Sequence, residues 1–216
     1  MNQLDKRDRI KVQLENEKEK LIELLPPTFR DRFREESFVG GGAIYSLYND
    51  QEPKDIDFFV DNEDLVKDLR SYFALYLIGK GFDMDKKVIV SKYKDLNLVF
   101  TKNAISIGKY QIITRWVGEP EEVVNEFDFK HNMFYIYKGE FDTFSQWDFL
   151  EDNVLRYNEN RARDICGTII RTKKFVERGF KLTNREMAKM LLKLNEVGFN
   201  EREMEILEHA EGNFES

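Results

Sequence analysis

Apolar residues recur at helical spacing in some parts of the chain and at strand spacing in others, which predicts a mixture of helices and strands. Residues 4–24 carry apolar side chains at roughly helical spacing, and Pro26 with Pro27 would end that helix. A second short helix is predicted over residues 28–35. The segment SFVGGG then predicts a strand that runs into a glycine turn, AIYSLYN the next helix, and DIDFFV a further strand. NEDLVKDLRSYFALYLIGKGF predicts a longer helix capped by Asp61 or Asn62.

The pattern becomes β-prone in the middle of the chain and helical again toward its end. Four short runs, VIVSKY, LNLVF, AISI and YQIITRW, predict strands; EPEEVVNEF predicts a brief helix and HNMFYIYKGEF a strand with a turn. From Thr143 onward the pattern predicts helix, interrupted at Gly179 and Gly198. We therefore predict an α+β fold, with a mixed β-sheet flanked by helices and a helical C-terminal segment. The expected segments are N-terminal helices over 1–36, a core over 37–142 and a helical domain over 143–216.

Composition excludes several classes of protein. The single cysteine, Cys166, rules out an internal disulfide framework and is interpreted as a small core residue. With two histidines, His131 and His209, the chain also lacks the residues for a zinc site or a Cys-His nucleophile, and His131 is interpreted as a core or turn residue. No run reaches the length of a membrane span, and the charged N-terminus is unlike a signal peptide. We therefore expect a cytoplasmic protein without a membrane partner.

Charge is distributed unevenly. The formal net charge is −7, yet residues 156–193 contain eleven Lys or Arg against four Asp or Glu. Such a basic segment can bind a polyanion such as RNA through side chains including Arg163, Arg171 and Lys174. Ordinary solvated helix faces explain the same pattern equally well.

The chemistry of the sequence is concentrated in VGGGAIYSLYNDQEPKDIDFFV. In a strand, residues i and i+2 point to the same side, so Asp55 and Asp57 should project together. Two such carboxylates repel each other unless a cation lies between them, and Mg²⁺ (or Mn²⁺) prefers oxygen ligands. The glycine turn before the helix, with Gly41 and Gly42, presents backbone N–H groups to a phosphate. Together these features predict a site for a nucleoside triphosphate such as ATP and for its metal ion.

The same residues resemble a known family. Gly41 and Gly42 after Val39, followed by Lys54-Asp55-Ile56-Asp57-Phe58, are similar to the head domain of tRNA CCA-adding enzymes and bacterial poly(A) polymerases, in the nucleotidyltransferase superfamily. EFDFKHN looks like a second family motif and keeps Asp128 and Asn132; IIRTKKFVERGFKLT looks like a third, matching at Arg171, Phe175, Gly179 and Phe180. The resemblance spans roughly residues 37–183.

The resemblance implies a polymerase-β-like fold over 37–142 and a metal-dependent transferase. Asp55 and Asp57 would hold Mg²⁺, Gly41 and Gly42 would bind the triphosphate, and Asp128 with Asn132 would contact the sugar. A nucleoside monophosphate would pass from an NTP to a hydroxyl, releasing pyrophosphate. The acceptor would be an RNA (tRNA-like) 3′ end, a protein or a small molecule.

Some positions depart from the family pattern. A third carboxylate is expected on a later strand, but the corresponding position in YQIITRW is Gln111, and an amide cannot act as a base. Asp95 or Asp128 could replace it, or one metal ion could suffice. The segment that selects C or A is not recognisable. Two alternatives therefore stand beside the active enzyme: a nucleotide- or RNA-binding regulatory module that has lost turnover, and a toxin-type enzyme that modifies tRNA or protein.

Overall fold

The chain forms an α+β fold, and its first twelve helices and strands follow the predicted order. A computed structural model describes residues 3–161 and 163–208, so the outer ends of the predicted segments 1–36 and 143–216 lie outside the described residues. The helices are α1 Gln3–Leu24, α2 Pro27–Glu36, α3 Gly42–Tyr48, α4 Glu63–Gly79, α5 Pro120–Asn125, α6 Ile165–Glu177, α7 Asn184–Val197 and α8 Glu201–Glu208. The strands are β1 Ser37–Gly40, β2 Ile56–Val60, β3 Val88–Tyr93, β4 Leu96–Thr101, β5 Ala104–Ile107, β6 Tyr110–Val117, β7 Phe134–Tyr137 and β8 Glu140–Thr143.

All eight strands join one mixed sheet, in the order β3-β4-β5-β6-β2-β1-β7-β8. The pair β2–β6 is parallel, and every other pair is antiparallel. β2 is central, and Phe58, Phe59 and Val60 are buried, as expected for a strand that is covered on both faces. The predicted fold class, a mixed sheet flanked by helices with a helical C-terminal segment, is confirmed.

Each face of the sheet packs on its own core. The larger core takes apolar side chains from α1 to α4, including Leu14, Leu21 and Phe73, so the N-terminal helices share it with the sheet. The smaller core lies on the opposite face and joins Phe38, Phe59, Phe127 and neighbours to α5. β2 is thus packed on both faces, and Asp55 and Asp57 lie at its start.

The cap of α4 settles one open prediction. The side chain of Asn62 accepts hydrogen bonds from the N–H groups of Asp64 (2.9 Å) and Leu65 (3.4 Å) and so caps the helix. Asp61 instead accepts a hydrogen bond from the Tyr137 hydroxyl. The helices of the described residues are too short or too polar to cross a bilayer.

The prediction of helix from Thr143 onward was wrong for its first part, of which the structure describes residues 143–161, 163 and 164. Thr143 ends β8, and the described residues after it contain a 3₁₀ turn, Trp147–Leu150, and otherwise irregular chain. Its polar side chains bind nearby backbone groups: Asp152 accepts from the N–H of Val154 (3.0 Å), and Asn158 accepts from the N–H of Asn160 (3.3 Å). Such bonds compete with helical ones, so regular helix begins only at α6.

Candidate functional site

A cavity of about 730 Å³ opens beside the start of β2. It is lined by the first residues of α3, the loop 49–55, β2, β6, the 3₁₀ turn Lys130–Asn132 and the end of α6. Cavities of this size are typical of small-molecule and cofactor sites. The lining includes the following charged or amide side chains: Asn49, Gln51, Glu52, Lys54, Asp55, Asp57, Gln111, Asn132, Asn153, Lys174 and Arg178.

Both predicted aspartates face this cavity. Asp57 lies within β2 and pairs in register with Gly40 on β1 and Gln111 on β6, whereas Asp55 is exposed just before the strand. Burial raises the pKa of Asp57 to about 6, the charge of Asp55 adds to that rise, and the charge of Lys174 opposes it. The two carboxylates therefore repel each other, and an added cation would relieve the repulsion.

The glycine turn lies directly against Asp57. Gly41 precedes α3 with φ +83° and ψ −150°, a conformation that side chains other than glycine rarely adopt. A Cβ atom on Gly41 would lie 3.7 Å from Asp57 Oδ2, and one on Gly42 would lie 3.7 Å from Asn132 Oδ1. Within the described residues, Asn132 Oδ1 is buried without a hydrogen-bond partner, a costly state that a bound ligand would relieve. The turn thus lies between Asp57 and Asn132.

Asp128, in contrast, is directed at arginines. Arg171 donates to its two oxygens from Nε (2.6 Å) and Nη2 (3.0 Å), and Thr168 donates from its hydroxyl (2.8 Å). Arg161, whose side chain is 2% exposed, brings Nε to 2.8 Å from Oδ1. Burial acts to raise the pKa of Asp128, but these arginines outweigh it and hold the pKa below its usual value. Asp128 therefore ties α6 to the segment before Asn132, whereas Asn132 itself lines the cavity.

The three basic residues singled out from the sequence occupy different places. Lys174 lines the cavity near the end of α6. Arg171 is held by Asp128 and by Asp164, whose Oδ2 lies 3.1 Å from Nη2. Arg163 pairs with Glu126 at 2.8 Å on the surface. The structure brings only Lys174 of these three to the aspartates.

Gln111 occupies the place on β6 next to Asp57. Asp95, one proposed replacement, lies on the β3–β4 turn, several strands away and so roughly 15 Å or more from β2. Asp128, the other, is engaged by Arg161 and Arg171. Neither replaces a carboxylate at the position of Gln111.

Sequence reasoning missed several lining residues. Glu52 lies on the loop before Asp55, and Arg178 lies on the turn after α6. An aromatic wall is formed by Tyr45, His131 and Phe180, with ring centroids 4.3 to 5.1 Å apart. His131 is buried, as its interpretation as a core residue requires, and burial lowers its pKa to about 3. The aromatic wall depends on long-range packing of α3, the 3₁₀ turn and the end of α6, which no local pattern predicts.

Comparison with known families decides the relationship of the chain. A model of the "Gabija anti-defense 2 family protein" matches residues 15–156. The chain belongs to the Gabija anti-defense 2 family. A curated relative, Gabija anti-defense 2 from Bacillus phage SPbetaL7, is 24% identical over 171 residues, which are 77% of this chain and 39% of the relative. The chain thus spans about two fifths of the length of that relative.

Several solved structures are similar to this member of the Gabija anti-defense 2 family. The Thermotoga maritima CCA-adding enzyme complexed with tRNA is 18% identical, with a TM-score of 0.48 over 83% of this chain and 45% of the enzyme. A tRNA nucleotidyltransferase complexed with a primer tRNA and an incoming ATP analog is 19% identical, with a TM-score of 0.46 over 78% of this chain and 49% of the enzyme. The chain spans less than half of either enzyme.

The donor set in this family member fits one hard divalent ion. Asp55 and Asp57 offer carboxylate oxygens to the same cavity, and Mg²⁺ commonly takes one or two carboxylates together with waters and substrate phosphates. Across the described residues, no three His, Cys, Asp or Glu side chains cluster closely enough to form a metal site by themselves. Waters and phosphate oxygens of a ligand would therefore complete the coordination.

Proposed function

We propose that this chain is a metal-dependent nucleotidyltransferase. It would transfer a nucleoside monophosphate from an NTP to a hydroxyl and release pyrophosphate. The observation that carries the proposal is the convergence of Asp55, Asp57, the glycine turn and Lys174 on one cavity. Each of these groups would bind a different part of a metal-bound triphosphate. Burial and the charge of Asp55 raise the pKa of Asp57, and a metal ion would supply the opposing positive charge.

Each residue of the site would contact a different part of the metal-bound nucleotide. Asp55 and Asp57 would hold Mg²⁺ or Mn²⁺, which neutralises phosphate charge when it is bound. Gly41 allows the chain to turn into α3, so that the backbone at Gly42 can approach the triphosphate. Lys174 and Arg178 would attract the β- and γ-phosphates. Asn132 would contact the sugar with its unpaired oxygen.

Asp128 would act as a positioning residue in this scheme. Its ion pairs with Arg161 and Arg171 join α6 to the segment that leads to Asn132. This arrangement fixes Lys174, on the next turn of α6, relative to β2. Asp128 would thereby support nucleotide binding without touching the nucleotide.

The acceptor would be an RNA 3′ end, in line with the basic residues of α6 and the following turn. Because the family is described as anti-defense against Gabija, we propose that the transfer serves to counter that defense. A tRNA-like RNA or a protein of the defended cell would then carry the added nucleotide.

Label transfer tests this function. The full chain is incubated with each α-³²P NTP, Mg²⁺ or Mn²⁺ and total cellular RNA or protein, alongside Asp55→Ala/Asp57→Ala. Label on a macromolecule with the wild type and none with the double variant is the expected result. The variant Asp85→Ala, which removes an exposed carboxylate that does not line the cavity, is the control.

A second candidate is a nucleotide-binding regulator without turnover. The register of Gln111 beside Asp57 favours it, because an amide cannot accept a proton. Metal-dependent NTP binding by the wild type, with no label transfer for any nucleotide or acceptor, would favour this candidate over the transferase.

A further inference from the structure

Nucleotidyl transfer at this site needs a proton acceptor that the predicted residues do not supply. The acceptor hydroxyl must lose its proton as it attacks, and a positioned carboxylate or histidine is the usual base. Gln111 holds an amide beside Asp57, His131 is buried with a pKa of about 3, and the oxygens of Asp55 and Asp57 would be occupied by the metal ion. A further group is required.

Glu52 is the one remaining carboxylate that lines the cavity among the described residues, besides Asp55 and Asp57. Its side chain is exposed, and within residues 3–161 and 163–208 it makes no hydrogen bond or ion pair. A charged side chain left free at the edge of a cavity is available to a ligand.

The backbone around Glu52 is fixed, although the side chain is not engaged. Asn49 donates from Nδ2 to the carbonyls of Tyr45 and Leu150 (both 3.0 Å), and the N–H of Gln51 donates to the carbonyl of Ser46 (2.8 Å). Pro53, the next residue, is buried. The loop therefore holds Glu52 at the rim while leaving its carboxylate free to rotate toward a bound acceptor.

We propose that Glu52 is the general base of the transfer reaction, an inference that rests on the proposed function. Its carboxylate accepts the proton of the acceptor hydroxyl. The acceptor oxygen forms a bond to the α-phosphorus as the bond from that phosphorus to the bridging oxygen of the β-phosphate breaks. Pyrophosphate carries away the electron pair of the broken bond, and the proton on Glu52 later passes to solvent. Atoms and charge balance without another reactant.

The test compares four forms of the full chain: wild type, Glu52→Gln, Glu140→Gln and Glu52→Gln/Gln111→Glu. Glutamine keeps the shape of Glu52 but cannot accept a proton. Glu140, exposed on β8 and outside the cavity, is the matched control. The double variant returns a carboxylate to the place beside Asp57. Single-turnover transfer from the α-³²P NTP that labels total RNA or protein gives the rate, and filter binding of that NTP with Mg²⁺ gives affinity.

We expect Glu52→Gln to lower the rate by roughly 10²- to 10⁴-fold, with NTP affinity and the circular dichroism spectrum unchanged. Glu140→Gln should match the wild type, and the double variant should recover part of the lost rate. A Glu52→Gln variant that transfers at the wild-type rate would overturn the role of Glu52 while leaving the transferase intact. So would a loss of rate explained entirely by weaker NTP binding. A wild type that transfers no label would overturn the transferase and Glu52's role together.

Discussion

Replacing Asp128 by alanine should destabilise the fold, because it leaves two arginines without their main partner. Breaking a buried ion pair by removing one member costs about 3–5 kcal/mol. Arg161 is 2% exposed in its side chain, but Arg171 is 38% exposed and keeps Asp164 at 3.1 Å. We therefore expect the free energy of unfolding to fall by about 3 kcal/mol, the lower end of that range. This is a large part of a typical stability of about 5–15 kcal/mol.

Urea unfolding, followed by fluorescence and circular dichroism, measures this loss. With a slope of about 2 kcal/mol per molar, the midpoint should fall by about 1.5 M. Asp85→Ala, an exposed loop control, should stay within about 0.5 kcal/mol of the wild type. The pKa of folded Asp128 lies below its unfolded value, so its contribution is present above about pH 4 and is lost as the pH falls through the folded pKa. The two proteins should therefore converge in acid.

The opposite pattern would refute this reasoning. A loss below about 1 kcal/mol, combined with much weaker NTP binding, would mean that Asp128 contacts the nucleotide directly. The ion pairs with Arg161 and Arg171 would then contribute little to stability.

Three further predictions concern the cavity. Burial and the charge of Asp55 raise the pKa of Asp57 to about 6, so the stability of the metal-free wild type should fall as the pH rises from about 4 to 6. The variant Asp57→Asn should therefore be more stable than the wild type at pH 7, by about 1–3 kcal/mol. Added MgCl₂ should raise the Tm of the wild type but not that of the variant. Gly41→Ala should cost about 1–3 kcal/mol in thermal unfolding because of its φ of +83°, whereas Gly79→Ala, with open space around it, should be neutral or stabilising. Lys174→Ala should raise the pKa of Asp57 further, measured by NMR titration, and weaken Mg-NTP binding measured by calorimetry.

Local patterns predicted most elements of the fold. The glycine turn, the short strand DIDFFV and the β-prone runs up to Arg115 each carry a local signal of spacing or turn chemistry, and each forms the expected element. Residues 144–161 did not form the predicted helix, because Asp152 and Asn158 bind nearby backbone N–H groups there. A helical period alone does not reveal such competition.

The candidate site was predictable where one short segment supplies the residues. Asp55 and Asp57 are two residues apart at the start of β2, and the glycines precede them in the same stretch, so spacing alone predicts that they lie together. Asp128 was expected at the nucleotide, but its location depends on Arg161 and Arg171, which reach it from later in the chain. No local sequence pattern points to Glu52, because its place in the site depends on a cavity that distant elements complete.

The parallel pairing of β2 with β6 also sets the order in which the site can assemble. β1 precedes β2 across a short helix, whereas β6 follows only after α4 and three further strands. On the ribosome, Asp57 therefore emerges long before Gln111, and Lys174 later still. Pairings between distant parts of a chain form slowly, so the carboxylate stays hydrated while the first hairpins fold. A nascent chain that ends before α6 would have most of its sheet but no cavity, and the site would form among the last parts of the molecule.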